Sequence, residues 1–342
     1  MVISYLQSIA TESGLASIGV APAIDDVCSC FPWAESVIVA AISYLPNDCQ
    51  IEDDLPRGLI ARVARSADYH GVLRNKLSHL TSHIRLEHPQ AQLEICVDTS
   101  PIPERKLAVL AGIAWQGKSG NVYVEGCGSY AALGEIVTDL QLPISEPTIL
   151  TQCGDCDRCM RACPTGAILA PGVIDRSKCL SHLTQTAGIV PRDLRPLMQN
   201  RIYGCDVCQE VCPQNVSVKH SSPEFAQLTS SDAYPELIPL INLSADEYKA
   251  NLKDSSIGWI RRTRIRRNAA IAAGNLKCES AVHALEEMIR NGDSILRIHA
   301  AWALGEIASH NALHSLKQAL LREQEADVIE EIRLALSKSG IT

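Results

Sequence analysis

The apolar residues of this chain change their period several times between the N-terminus and the C-terminus. "SVIVAAISYL" (36–45) and "QLEICVD" (92–98) are short, β-branched apolar runs of strand length. Between them Leu73, Leu77, Leu80 and Ile84 recur three or four positions apart, which predicts an amphipathic helix. Residues 1–147 therefore read as an α/β domain. His70, His79, His83 and His88 all fall on or beside the helix; His79 and His83 are one turn apart, but scattered histidines on a wet helix are expected to be surface residues. After Asp98 comes the Gly-rich "AGIAWQGKSGNVYVEGCGSYAALGEIVTDL", whose small residues permit a ligand to approach the backbone. The two prolines of "LPISEPT" (142–148) predict a domain joint. A cysteine-rich domain (148–220) and a Pro-punctuated connector (221–260) follow.

The last segment, 261–342, repeats itself. "RRNAAIAAGNL" (266–276) aligns with "RIHAAWALGEI" (297–307) at a spacing of 31 residues, matching Arg266 with Arg297, Ala269 with Ala300 and Gly274 with Gly305. Small and large apolar residues at helical period, recurring at that length, predict stacked helix pairs of the HEAT type. "DVIEEIRLALS" fits a third, degenerate copy that caps the stack.

Composition narrows the class of protein. The chain has 342 residues, 46% of them hydrophobic, enough for two or three domains with real cores. Its N-terminus lacks the basic head and long apolar run of a secretory signal, and no apolar run is long enough to span a membrane. The expectation is a cytoplasmic, monomeric protein. A net charge of −8 excludes a uniformly basic nucleic-acid surface and leaves room for a local one. "RRTRIRR" (261–267) is such a patch, with five arginines in seven positions. A solvated helix face would look similar.

Eight of the fourteen cysteines crowd into 153–212. A disulfide framework suits small secreted domains better than a chain like this one. Cys153, Cys156, Cys159 and Cys163, followed by Pro164, give C-x2-C-x2-C-x3-C-P. In that pattern three thiolates hold one [4Fe–4S] cluster and the fourth reaches to a second. The second run is Cys205, Cys208 and Cys212 followed by Pro213, and Cys179 is the nearby cysteine left to complete it. The crossover assigns Cys153, Cys156, Cys159 and Cys212 to one cluster and Cys163, Cys179, Cys205 and Cys208 to the other. Structural zinc sites show paired C-x2-C knuckles with four ligands each, and the interlocked C-P endings argue against them.

In this setting the chain resembles the epoxyqueuosine reductases. The resemblance is carried by "ADYHGVLRNKL" (67–77), "VDTSPIPERKLAVLAGIAWQGKS" (97–119), "YAALGEIVTDL" (130–140), the cysteine block with "CLSHLTQT", and "RIRRNAAIAAG". It implies an α+β protein: a nitroreductase-like cobalamin domain, a ferredoxin-like domain with two [4Fe–4S] clusters, and HEAT-like repeats. It also implies reduction of the epoxide on a modified tRNA wobble base, with Asp98 as proton donor and cobalamin as cofactor. Asp98 would need a raised pKa, supplied by desolvation, to donate a proton at neutral pH. Lys118, Ser129 and Leu133 would line the cobalamin, with Thr186 and Asp206 approaching from the cluster side. Arg261, Arg262, Arg264 and Arg267 would grip the anticodon stem-loop, and an external donor would supply electrons. Where the family carries a longer loop, this chain has "APAIDDVCSCFPWAE", which leaves Cys28 and Cys30 without an assigned role. Two rivals stand beside this reading: another corrinoid and iron–sulfur enzyme such as a reductive dehalogenase, and a ferredoxin-like carrier that docks through its helical repeats.

Overall fold

The computed structural model describes residues 3–46, 53–147, 151–218, 222–225 and 230–338. Residue 148 of the expected joint, residues 219–220 of the cysteine-rich domain and residues 221 and 226–229 of the connector lie outside them. The chain divides into two compact units, each assembled from separated segments: residues 1–47, 66–174 and 207–228 form one, and 48–65, 175–206 and 229–342 the other.

The first unit is built on a four-stranded sheet in the order Ser17–Pro22, Ser36–Ser43, Ala131–Thr138, Leu93–Cys96. Every neighbouring pair is antiparallel. Ser36–Ser43 is buried along its whole length, which is why its sequence is continuously apolar and does not alternate. On one face lies the helix Tyr69–Glu87, which buries Leu73, Leu77, Leu80 and Ile84 completely. Asp68 starts that helix by accepting the His70 backbone N–H, as an N-cap should. Leu77 comes so close to the strand that a Cβ on Gly134 would stand 2.9 Å from its methyl group. On the other face, Leu107 and Ala108 of the helix Glu104–Leu110 pack with Val37, Val39 and Val137. The cysteine-bearing helices Arg158–Ala162 and Val207–Glu210 and the hairpin Ile168–Ala170/Val173–Ile174 belong to this unit too.

The second unit is mainly helical. Arg261–Asn275, Val282–Asn291, Ser294–Ile307, His310–Leu320 and Ala326–Lys338 form the predicted stack around a core containing Ile265, Leu285, Trp302 and Ile332. The repeated glycines are where helices touch. A Cβ on Gly274 would lie 2.8 Å from the backbone of Ala303, and one on Gly305 would lie 2.6 Å from the Cβ of Ala335. The third copy thus occupies its expected place. Among the described residues, no helix is long and apolar enough to cross a membrane.

Candidate active site and cluster ligands

Asp98 follows the strand Leu93–Cys96 and sits at the centre of a three-residue turn closed by Thr99 N–H on the Val97 carbonyl at 2.6 Å. Its φ of 51° is in the left-handed region, which a non-glycine residue occupies at a cost of about 1–3 kcal/mol. That strain turns its carboxylate toward His70, whose Nε2 lies 3.2 Å from Asp98 Oδ2 while Nδ1 lies 2.6 Å from Asp68 Oδ1. Imidazole between two carboxylates is the arrangement that favours the imidazolium. The hydrogen bond to Asp98, with that to Asp68, raises the His70 pKa against its partial burial. The same bond holds the Asp98 carboxyl below the ordinary carboxylate range. Between these two groups the hydrogen bond outweighs desolvation at Asp98, so the pairing with His70 favours the carboxylate; the raised pKa expected of Asp98 belongs to the closed complex with corrin and bound base. Nearby, burial raises Glu104 and pushes Glu135 well up. Glu135 is 1% exposed on the sheet's inner strand.

The cysteines carry donors aimed at their sulfurs. Lys118 N–H points at Cys153 Sγ (3.4 Å), Ala167 N–H at Cys163 Sγ (3.3 Å), Tyr123 O–H at Cys212 Sγ (3.2 Å), and Asn121 Nδ2 at Cys208 Sγ (3.7 Å). Hydrogen bonds to sulfur are what stabilise anionic iron–sulfur cores and tune their potentials. Burial, with the neighbouring sulfurs of Cys153 and Cys212, pushes the Cys159 thiol up. Among the described residues no cysteine is in a disulfide. Cys179, at the start of the helix Leu180–Gln185, and Cys205, just after the strand Arg201–Tyr203, belong to the second unit, and the other six expected ligands to the first.

Lys118 Nζ donates to the carbonyls of Gly154 (2.6 Å) and Cys156 (3.1 Å), so its charge steadies the first cysteine loop. Ser129 is buried, and its hydroxyl accepts from Gln209 and Asn215. Leu133 is buried in the sheet. Asp206 is buried against Arg62, whose backbone N–H it accepts at 2.8 Å. Thr186 gives its carbonyl to Arg267. Arg267 is itself a correction. It is 1% exposed, and its guanidinium donates to the carbonyls of Leu183, Thr186 and Gly188 and to Asn268 Oδ1. A fork so completely occupied cannot grip an RNA phosphate; it braces the turn after Leu180–Gln185. Arg261 is exposed, and Arg262 and Arg264 are half-buried with one carbonyl partner each, Leu243 and Ile260.

Among curated relatives, an epoxyqueuosine reductase of Bacillus cereus is 35% identical over 310 residues, spanning 89% of this chain and 81% of its own. The chain belongs to the epoxyqueuosine reductase family. The Escherichia coli epoxyqueuosine reductase is 35% identical over 313 residues, 88% of this chain and 80% of its own. Family models match residues 25–99 (Epoxyqueuosine reductase QueG, DUF1730), 152–215 (4Fe-4S double cluster binding domain) and 261–337 (HEAT repeats). A solved epoxyqueuosine reductase bound to a tRNA-Tyr stem loop carrying epoxyqueuosine superposes with a TM-score of 0.92 at 30% identity, covering 99% of this chain and 98% of that one. The Streptococcus thermophilus epoxyqueuosine reductase gives 0.90 at 29% identity, with 99% of both chains covered.

Within this epoxyqueuosine reductase fold, the sequence pattern does not single out His70, Asp68, Glu135, Asn121 or Tyr123. By pattern alone His70 falls in with the surface histidines. The signal that distinguishes it is Asp68, two residues earlier at a helix N-cap, where a short acid can reach the ring. By contrast, His79 is exposed and His83 half-buried; their rings meet each other at 3.4 Å, and the Ser13 hydroxyl lies 2.9 Å from His79.

Proposed function

We propose that this chain reduces epoxyqueuosine to queuosine in the wobble position of tRNA, acting as a cytoplasmic monomer fed by an external electron donor. The reaction takes the epoxide, two electrons and two protons to an alkene and water. The observation that carries the reading is the Asp68–His70–Asp98 array, set on a strained turn in a chain whose cysteine runs match a double-cluster domain. Epoxide opening leaves charge on a departing oxygen, and a proton positioned beside that oxygen removes it. Asp98 and Asp68 are both open, at 48% and 44% side-chain exposure, and Asp98 is the one on the strained turn, which we assign to the bound base. His70 holds the proton and passes it through Asp98 to the departing oxygen, and Asp68 fixes the ring that does so. Arg261, Arg262 and Arg264 contribute phosphate contacts that hold the stem-loop.

Cysteine thiolates with N–H and O–H donors on their sulfurs suit the two clusters, with the eight ligands shared out as the crossover pattern assigns. Cobalamin, in this proposal, would supply a centre that gathers two electrons. Of the side chains named for it, Ser129, Leu133 and Asp206 are buried and Lys118 is bound to the cysteine loop, while Thr186 is half-buried. Main-chain groups of the Gly-rich stretch, with Thr186, would hold it, and proton delivery is what this chain's own side chains supply.

The test is anaerobic protein, reconstituted with iron, sulfide and cobalamin, incubated with a reductant and tRNA carrying epoxyqueuosine, followed by nucleoside analysis. Queuosine is expected from the native chain and none from Asp98→Asn with its clusters intact. Unchanged epoxyqueuosine with the native protein refutes the activity, and full turnover by Asp98→Asn refutes the donor.

A further inference from the structure

In the second unit, the turn that leads into the first repeat helix is built from buried residues with one exception. Ile257, Gly258 and Ile260 are buried, with Ile260 at 0% exposure, while Trp259 is 54% exposed. Gly258 is required here: a Cβ would stand 2.1 Å from the carbonyl oxygen of Leu252 and 2.2 Å from that of Lys253. Its own carbonyl accepts the Tyr248 hydroxyl at 2.7 Å. The turn is therefore held from below and presents a single side chain outward.

The indole is anchored by its polar edge. Nε1–H donates to the Tyr203 hydroxyl at 3.1 Å, and the two rings meet edge-on, with centroids 6.3 Å apart and planes at 86°. With its one donor satisfied, what Trp259 offers to solvent is flat π surface. Two residues later Arg261, exposed, holds a φ of 65°, a left-handed conformation that an arginine adopts only under strain. Arg264 follows within one helical turn. Other large apolar side chains are exposed on this protein, Leu86 and Val216 among them. Trp259 differs in combining an aromatic face, a fixed orientation and flanking cations.

We propose that Trp259 is the platform on which an unpaired base of the RNA substrate stacks, while Arg261 and Arg264 meet the adjoining phosphates. Every base has a π face, so such a platform selects unpaired over paired RNA and not one sequence over another. This rests on the tRNA reading above and adds a residue to it.

The experiment uses the cluster-reconstituted full chain and two RNA probes: a tRNA-Tyr anticodon stem-loop and a fully paired duplex of equal length. Affinity is measured across a salt series for the native chain, Trp259→Phe, Trp259→Leu and Trp259→Ala. Stem-loop binding should weaken roughly 5- to 100-fold in the Ala and Leu variants, the range expected for one base–aromatic stack. Trp259→Phe should retain most of the affinity, and the salt slope should not move, because a stack releases no counterions. Unchanged stem-loop affinity in both Trp259→Leu and Trp259→Ala, with native binding intact, overturns the platform alone. Equal weakening toward the duplex overturns it as well. A native chain that binds neither RNA overturns the tRNA reading and the platform with it.

Discussion

Asp98 and His70 are joined by one hydrogen bond, and each is shifted by the other. His70 is charged at pH values below its raised pKa, so in the proposed relay delivery of the proton fails as pH climbs through that value. Replacing His70 by Gln removes the imidazolium and releases Asp98 from the bond that holds it down. The reservoir is then a carboxyl, which gives up its proton at lower pH than an imidazolium does. The alkaline limb of kcat/KM against pH should therefore move to lower pH by more than about one unit in His70→Gln; an unmoved limb assigns the proton elsewhere. Tyr123 provides a second test at this scale. Its hydroxyl donates to Cys212 Sγ at 3.2 Å, and its ring is stacked on Trp115 at 4.4 Å, which fixes the direction of that bond. A donor on a ligand sulfur stabilises the reduced, more negative cluster. In Tyr123→Phe the stacked ring stays and the donor goes, so potentiometry followed by electron paramagnetic resonance should find one cluster at a more negative potential with iron content unchanged.

Two glycines, both in helices, should respond to substitution with opposite signs. Alanine in place of glycine gains about 1 kcal/mol of helix propensity wherever the new methyl meets nothing. Gly71, in the helix Tyr69–Glu87, has no atom within 4 Å of where its Cβ would be. Gly305 has Ala335 Cβ at 2.6 Å and Ala335 Cα at 3.0 Å. Overpacking of that kind costs about 1–3 kcal/mol, and the obstacle is backbone of the next helix, which cannot step aside. Urea denaturation should place the midpoint of Gly71→Ala above that of the native chain and Gly305→Ala below it. The repeat behind this contrast is legible in the sequence, because helical period and a fixed spacing are local signals. So are the strand Ser36–Ser43, the helix carrying Leu73 to Ile84, and the cysteine spacing. The fate of Arg267 is not. A run of arginines reads as one charged surface, but on a helix successive positions point about 100° apart, and one of them turns inward onto three carbonyls. The Asp98 array is half legible for a similar reason: Asp68 and His70 are neighbours in sequence, whereas their meeting with Asp98 depends on the sheet.

A chain with net charge −8 repels a polyanion at long range, so its approach to tRNA must be governed by where its cations are concentrated. Of the five arginines in 261–267, Arg267 is consumed inside the second unit and Arg266 gives its Nε–H to the Ile241 carbonyl. Arg261 is exposed, Arg262 and Arg264 are half-buried with one carbonyl partner each as Arg266 is, and these three are the proposed phosphate contacts. Removing one arginine–phosphate pair should lower the slope of log K against log salt by about 0.7 to 0.9, depending on whether the phosphate lies in single-stranded or paired RNA. The double variant Arg261→Gln/Arg264→Gln should therefore bind the stem-loop more weakly and flatten the slope by up to about 1.8, with the thermal midpoint unchanged. Arg267→Met should do the reverse. The substitution strands buried carbonyls, at about 1–3 kcal/mol for each group left unsatisfied, so the midpoint should fall while the salt slope keeps its native value. If Arg267→Met flattened the slope without loss of stability, the guanidinium would have to leave its buried acceptors when RNA binds. The division between structural and phosphate-binding arginines would then fail.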